Sequence, residues 1–202
     1  MRKKPLIIFM LNLSLLISVF SGLAEEKNVN GLNVVLVSSL IKNAEAIAEA
    51  ARQNAVAIVY DYENTDLREI NLTLIELIEW KRCKIDNLAI ICHGASGSLN
   101  LGSNYLIDLK KINEEKNEWI FLCTQLTANA SIDFYGSGVG FGEDGQKFIK
   151  AISLLTAATI HASDDASGNV KNADWDLEVK TGPGAPSSLI NFSQLLKTPI
   201  YF

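Results

Sequence analysis

The sequence is poor in the residues that usually build chemical sites. It has three cysteines and two histidines in 202 residues. Cys83, Cys92 and Cys123 are too few for a disulfide-built scaffold, so the fold must stand on an apolar core. Their odd number allows at most one internal bridge and leaves a thiol over. His93 and His161 have no cysteine partners at zinc-ligand spacing, which excludes the usual zinc clusters. Asp133, Glu143 and Asp144 lack the ordered spacing of a calcium loop. No metal or other cofactor is therefore expected. Positive charge is also scarce, with 18 Lys and Arg against 23 Asp and Glu, a net charge of −5 and a pI near 5.1. That balance speaks against a nucleic-acid partner, which calls for a basic patch. Internal repeats and low-complexity tracts are absent.

What the chain does have at its start is "MRKKPLIIFMLNLSLLISVFSGLAEEK". Arg2, Lys3 and Lys4 precede an apolar run from Leu6 to about Phe20. Gly22 and Ala24 then occupy the −3 and −1 positions of a cleavage site. This is the pattern of a secretory signal peptide over residues 1–24. The run is short of the ~20 apolar residues a membrane span prefers, so no stable span is expected after cleavage. A secreted, periplasmic or cell-surface location follows as an expectation. Residues 25–31 read as a polar linker and 32–202 as one domain.

The remainder alternates between short apolar runs and helical patterns. "LNVVLVSS" predicts a buried strand, and Ile41 to Gln53 a helix. "AVAIVYDY" predicts a second strand. Thr65 or Asp66 caps a helix through "LREINLTLIELIEWKRC". "IDNLAIICHG" is a third strand ending at His93-Gly94, and "GSLNLGSNYLID" a hairpin about its "GSN" turn. One helix is expected over "INEEKNEWIFLCTQLTA". "SIDFYG" is the fourth main strand, "EDGQKFIKAISLLTA" a helix and "ATIHAS" the fifth strand. A polar loop then leads to an edge strand "DWDLEV", a turn "TGPGAPSS" and a helix "LINFSQLLK". The fold class expected is α/β: a three-layer sandwich around a mainly parallel sheet, with a small hairpin after the third strand. In such sheets ligands bind beyond the carboxyl ends of the strands, where His93 and Ser137 fall.

The stretch "DFYGSGVGFGEDGQ", residues 133–146, supports three readings. "GFGEDG", residues 140–145, matches the G-x-G-x-x-G of dinucleotide-binding loops, with Asp164 and Asp165 about 20 residues on. Glu143 and Asp144 oppose it, because they place negative charge where a pyrophosphate would sit. Alternatively, Ser137 is a nucleophile with His93 as its base and Gly94, Gly136 and Gly138 as supporting or oxyanion-hole positions. No acid that would orient His93 is evident. Finally, the glycines simply allow a sharp turn and a close helix. Asp164 and Asp165 read as a turn ahead of Gly168. Trp175, between Asp174 and Asp176, reads as a core plug. His161 reads as a satisfied sheet residue.

"IDNLAIICHGASGSLNLGSNYL", "DFYGSGVGFGEDGQKFIKAISLLTAATIHASDD" and "GNVKNADWDLEV" together resemble a bacterial domain family of unassigned function. That family occurs near the N-termini of very large exported adhesin-like and haemolysin-like proteins. The match covers about residues 32–180. The family in turn resembles the caspase and gingipain group of cysteine peptidases, in which a His-Gly ends one strand and the nucleophilic cysteine ends the next. His93-Gly94 fits the first element. At the second, "YGS" stands where the family has Tyr-Gly-Cys. The resemblance therefore implies a caspase-like fold whose nucleophile is replaced by Ser137. By likeness to the gingipain-like members, it also implies an acidic specificity pocket for a Lys or Arg side chain at Asp164 and Asp165. A serine hydroxyl is un-ionised at neutral pH, and it needs more activation than a thiol. The expected function is a non-catalytic module acting in secreted or cell-surface interactions with a protein or peptide partner. The alternative is a peptidase or esterase using Ser137 and His93. Dinucleotide binding through residues 140–145 is the third reading.

Overall fold

The computed structural model describes residues 31–195 and 199–200. The signal-peptide expectation for residues 1–24 lies outside them. The chain runs β1 (Leu32–Ser38), α1 (Ala44–Glu49), β2 (Ala55–Tyr60), α2 (Leu67–Lys81) and β3 (Ile85–Ile91). Three short strands follow: β4 (His93–Ala95), β5 (Ser98–Gly102) and β6 (Tyr105–Ile107). Then come α3 (Leu109–Glu114), α4 (Lys116–Gln125), β7 (Leu126–Tyr135), α5 (Gly142–Thr156), β8 (Thr159–Ala162) and β9 (Val179–Lys180).

The main sheet has the order β2-β1-β3-β7-β8-β9. Its first five strands are parallel, and β9 closes the edge antiparallel to β8. Consecutive residues of β1 and β3 are buried because each face of the sheet is covered, which is why these strands read as unbroken apolar runs. Val34 and Leu36 join Leu88, Ile90, Ile132 and Phe134 on one face. There α2, α3, α4 and α5 contribute Leu74, Ile112, Trp119 and Phe148. Val35, Val37, Ala89, Ile91 and Tyr135 face the other way. They are covered by α1 and by the irregular C-terminal stretch through Leu177, Leu189, Ile190 and Leu195. The result is the expected three-layer α/β domain with a small antiparallel sheet, β4-β5-β6, beside it. No helix of the described residues is long and apolar enough to cross a membrane.

Local chemistry explains the helix starts. The carboxylate of Asp66 accepts from the Glu69 N–H at 2.8 Å, and that of Asp108 from the Lys111 N–H at 2.8 Å. Several elements differ from expectation. The helix expected from Ile41 to Gln53 covers only Ala44–Glu49, entered through Asn43 in the left-handed region (φ 61°). The single helix expected over "INEEKNEWIFLCTQLTA" is two, interrupted at Glu115 (φ −112°, ψ 33°). Its last residues, from Leu126, belong instead to β7, because Leu126 pairs with Ile85. Of the expected edge strand "DWDLEV" only Val179 lies in a strand, Asp174 making an isolated bridge with Ser167. Of the expected C-terminal helix the described residues form one 3-10 turn, Phe192–Leu195. All three cysteines are free thiols.

Candidate functional site

β3 and β7 are parallel neighbours with Ile91 abreast of Tyr135. The next residues, Cys92-His93 and Gly136-Ser137, therefore leave the sheet side by side at its carboxyl edge. Their backbones nearly touch. A Cβ on Gly136 would sit 2.8 Å from the Cys92 carbonyl oxygen and 3.4 Å from the Gly94 nitrogen. Only glycine fits there without a shift, so the "YGS" triplet is packing chemistry before it is anything else. Cys92 is fully buried, and burial pushes its thiol up to about 12. It is not a reactive thiol.

His93 does not continue the main strand. It opens β4, pairing antiparallel with Asn100 of β5. The Asn100 side chain accepts from the Tyr62 hydroxyl at 3.2 Å. His93 is half-buried, and burial lowers its pKa below the usual 6.5. At neutral pH its imidazole is therefore mostly uncharged, the form a base requires.

Ser137 is also half-buried. Its Oγ accepts a hydrogen bond from the Ser167 N–H at 3.1 Å. The glycine turn after it is bonded to the loop following β8. The Gly138 N–H donates to the Asp165 carbonyl at 2.6 Å, and the Gly140 N–H to the Ser163 carbonyl at 2.8 Å. The Gly145 N–H donates to the Phe141 carbonyl at 3.2 Å. An oxyanion or a phosphate at this turn would have to displace the first two bonds. Gly145 has a packing reason of its own, because a Cβ there would lie 2.2 Å from the Gly140 carbonyl carbon. In the first turn of α5, Glu143 pairs with Lys147 at 2.6 Å on the exposed surface.

Asp164 and Asp165 lie on the rim beside this turn. The Asp164 N–H donates to the Glu178 carboxylate at 3.0 Å. The carboxylates of Asp165, Asp174 and Glu178 converge to within 4.8 Å of one another, all on exposed residues. Sequence reasoning did not connect Asp174 and Glu178 with Asp165, since the loop between them is irregular. Trp175 stacks on Phe192 with ring centroids 4.3 Å apart, and Tyr135 meets both rings. Trp175 is thus partly buried against the core of the sheet face that α1 also covers.

A second cluster lies under the sheet face, four residues before Ser137. Asp133 and His161 occupy abreast positions on β7 and β8 and are fully buried. Asp133 Oδ1 lies 2.7 Å from His161 Nδ1. Its Oδ2 accepts from the Ser187 N–H at 2.8 Å and from the Ser187 hydroxyl. His161 Nε2 has no partner among the described residues. His161 is thus satisfied on one ring nitrogen rather than both. The signal for this pair was present as an aspartate and a histidine within apolar strands, but pairing depends on register.

Residues 34–198 match the sequence model of the Domain of unknown function DUF4347, and the chain belongs to that family. No curated protein matches the chain.

Proposed function

We propose that this DUF4347 member is a binding module that keeps the frame of a histidine–nucleophile site without its chemistry. It would act in secreted or cell-surface interactions with a protein or peptide partner. The observation that carries this reading is the state of Ser137. Its Oγ is held by the Ser167 N–H, and the neighbouring Gly138 N–H is taken by the Asp165 carbonyl. A serine nucleophile needs a base poised on its hydroxyl and open donors for the oxyanion. Here the nearest open donor has been closed by the protein itself. The side-by-side exit of His93 and Ser137 from β3 and β7 supports the caspase-like likeness of the frame. It also supports the alternative, a hydrolase using Ser137 and His93. Residues 140–145 have less to offer a dinucleotide, with the Gly140 N–H bonded internally and Glu143 at the helix start.

Fluorophosphonate labelling of the intact protein separates the two readings. No adduct at Ser137 is expected. An adduct at Ser137, with ester or peptide turnover abolished by Ser137→Ala, would establish the hydrolase. Export is tested separately: N-terminal sequencing of protein from the native host should begin at Glu25, and an intact Met1 in the cytoplasm would sink the export reading.

A further inference from the structure

The C-terminal stretch is held to residues 50–52 by an isolated antiparallel bridge, Ala51 with Ile190. There the Arg52 N–H donates to the Leu189 carbonyl at 2.9 Å and the Asn191 N–H to the Ala50 carbonyl at 2.8 Å. Toward the Ser137 end of the sheet its ties are side-chain bonds and ring contacts. Residues 182–195 contain no strand and end in one 3-10 turn. At Ser187 they are clamped to Asp133 by two hydrogen bonds. At Phe192 they stack on Trp175 and Tyr135. At Leu195 the carbonyl accepts from the Asn169 side chain at 2.5 Å. The Asn169 side chain and N–H also bond Ile200, at 2.6 and 3.2 Å. Asn169 belongs to the loop that supplies the Ser167 N–H to Ser137 and the Asp165 and Ser163 carbonyls to Gly138 and Gly140. Asp133 and Tyr135 lie on one face of β7, two residues apart, and Ser137 follows at the same spacing.

We infer that residues 182–195 form a strap whose docking on Asp133 and Trp175 holds the 163–169 loop against Ser137. The strap thereby decides whether the donors of the glycine turn are closed or open. The loop's own backbone pairing is one isolated bridge, Ser167 with Asp174. In it the Gly168 N–H donates to the Asp174 carbonyl at 2.7 Å and the Asp174 N–H to the Ala166 carbonyl at 3.1 Å. Beyond that bridge its order depends on the two surfaces that grip it, the glycine turn on one side and the strap on the other. Releasing the strap at Ser187 removes one grip. The Gly138 N–H and the Ser137 hydroxyl then become available to a ligand. Coupling of this kind is reciprocal, so a ligand that takes those two groups loosens the strap. The inference rests on the Ser137 site being a closed binding frame, but its first readout does not depend on activity.

The test is hydrogen exchange on the full chain and on Ser187→Ala, with Asn169→Ala as the second variant. Ser187→Ala removes a hydroxyl donor from a buried carboxylate while leaving the N–H bond. Exchange is expected to rise about tenfold in residues 183–195 and in the amides of Gly138, Gly140 and Ser167, while α2 and α5 stay unchanged. Asn169→Ala should accelerate the same loop amides. In a Ser137→Cys background with the three native cysteines changed to alanine, each variant should also raise the iodoacetamide alkylation rate. Faster exchange confined to 183–195, with the loop amides and the alkylation rate unmoved, would overturn the inference. So would faster exchange spread evenly over the helices. If Ser137 proves to be a working nucleophile, the exchange result still decides the strap, and only the reading of the site changes.

Discussion

The two faces of the main sheet are covered in different ways. On one, α2, α3, α4 and α5 bury Leu74, Ile112, Trp119 and Phe148 against the strands. On the other, α1 supplies six residues and the rest is irregular chain, held by the Asp133–His161–Ser187 cluster and the Tyr135–Trp175–Phe192 rings. Helices satisfy most of their own backbone groups, so the first face is mainly apolar. It has one buried polar link, in which the Asn71 amide of α2 donates to Glu118 at 3.0 Å and accepts from the Gln125 amide of α4 at 3.2 Å. Irregular chain over a sheet must find partners for its N–H and C=O groups, so the second face carries buried polar anchors. The Ser137 turn is gripped from the second side. On its other side Val139 packs into the helical-face core, and the Val139 and Phe141 carbonyls accept from the Gly97 N–H at 3.1 Å and the Ser96 hydroxyl at 2.7 Å, so both sides set its shape.

The largest break should come on the helical face. Phe148 is fully buried and tilts against Phe134 at a centroid distance of 6.5 Å. Phe148→Ala is expected to cost about 3–5 kcal/mol, read from urea unfolding with an unchanged slope. The amides of the 163–169 loop should keep their exchange rates relative to the rest of the domain.

On the polar face, His161→Leu should cost about 3 kcal/mol, because it leaves the buried Asp133 carboxylate without a partner on Oδ1. Adding Asp133→Leu should recover part of that loss, since two apolar side chains need no partners. A double variant less stable than the sum of the singles would show that the cluster does more than fill space.

Gly136→Ala probes the join between the two strands. The added Cβ would lie 2.8 Å from the Cys92 carbonyl oxygen, so β3 and β7 must separate. A loss of about 1–3 kcal/mol is expected. The structural change should be confined to residues 92–94 and 136–140, visible as amide shifts in NMR spectra.

The smallest effect belongs to His93. Its folded pKa is lowered from 6.5 by burial, so the unfolded chain binds the proton more readily. The native state is therefore unaffected by this residue above about pH 7. It loses stability as pH falls from 6.5 toward the lowered folded value, and the loss levels off below that. His93→Gln should flatten the stability profile below pH 6.5. An unchanged slope in the variant would mean that His93 titrates normally.

Much of this domain follows from local pattern. The apolar runs of β1, β3 and β8, the amphipathic spacing of α2 and α5, and the Asp66 cap are short-range signals, and each was legible in the chain. So was the meeting of "CHG" with "YGS", because two buried parallel strands carried them to the same edge. The start of β7 was not legible, since "LTANA" continues the polar-apolar mixture of α4 and becomes strand only by pairing with Ile85. The shortness of α1 and β9 was not legible either, nor were the partners of Asp133, Ser137 and Gly138. These depend on a register of strands and on a loop 30 residues away, reached through bonds that leave no periodic trace in the sequence. Residue type determined that a histidine and a serine would stand at the strand ends. The hydrogen bonds that close the site around the serine were decided by the tertiary fold, because an N–H finds its acceptor only once both strands and the C-terminal stretch are in place.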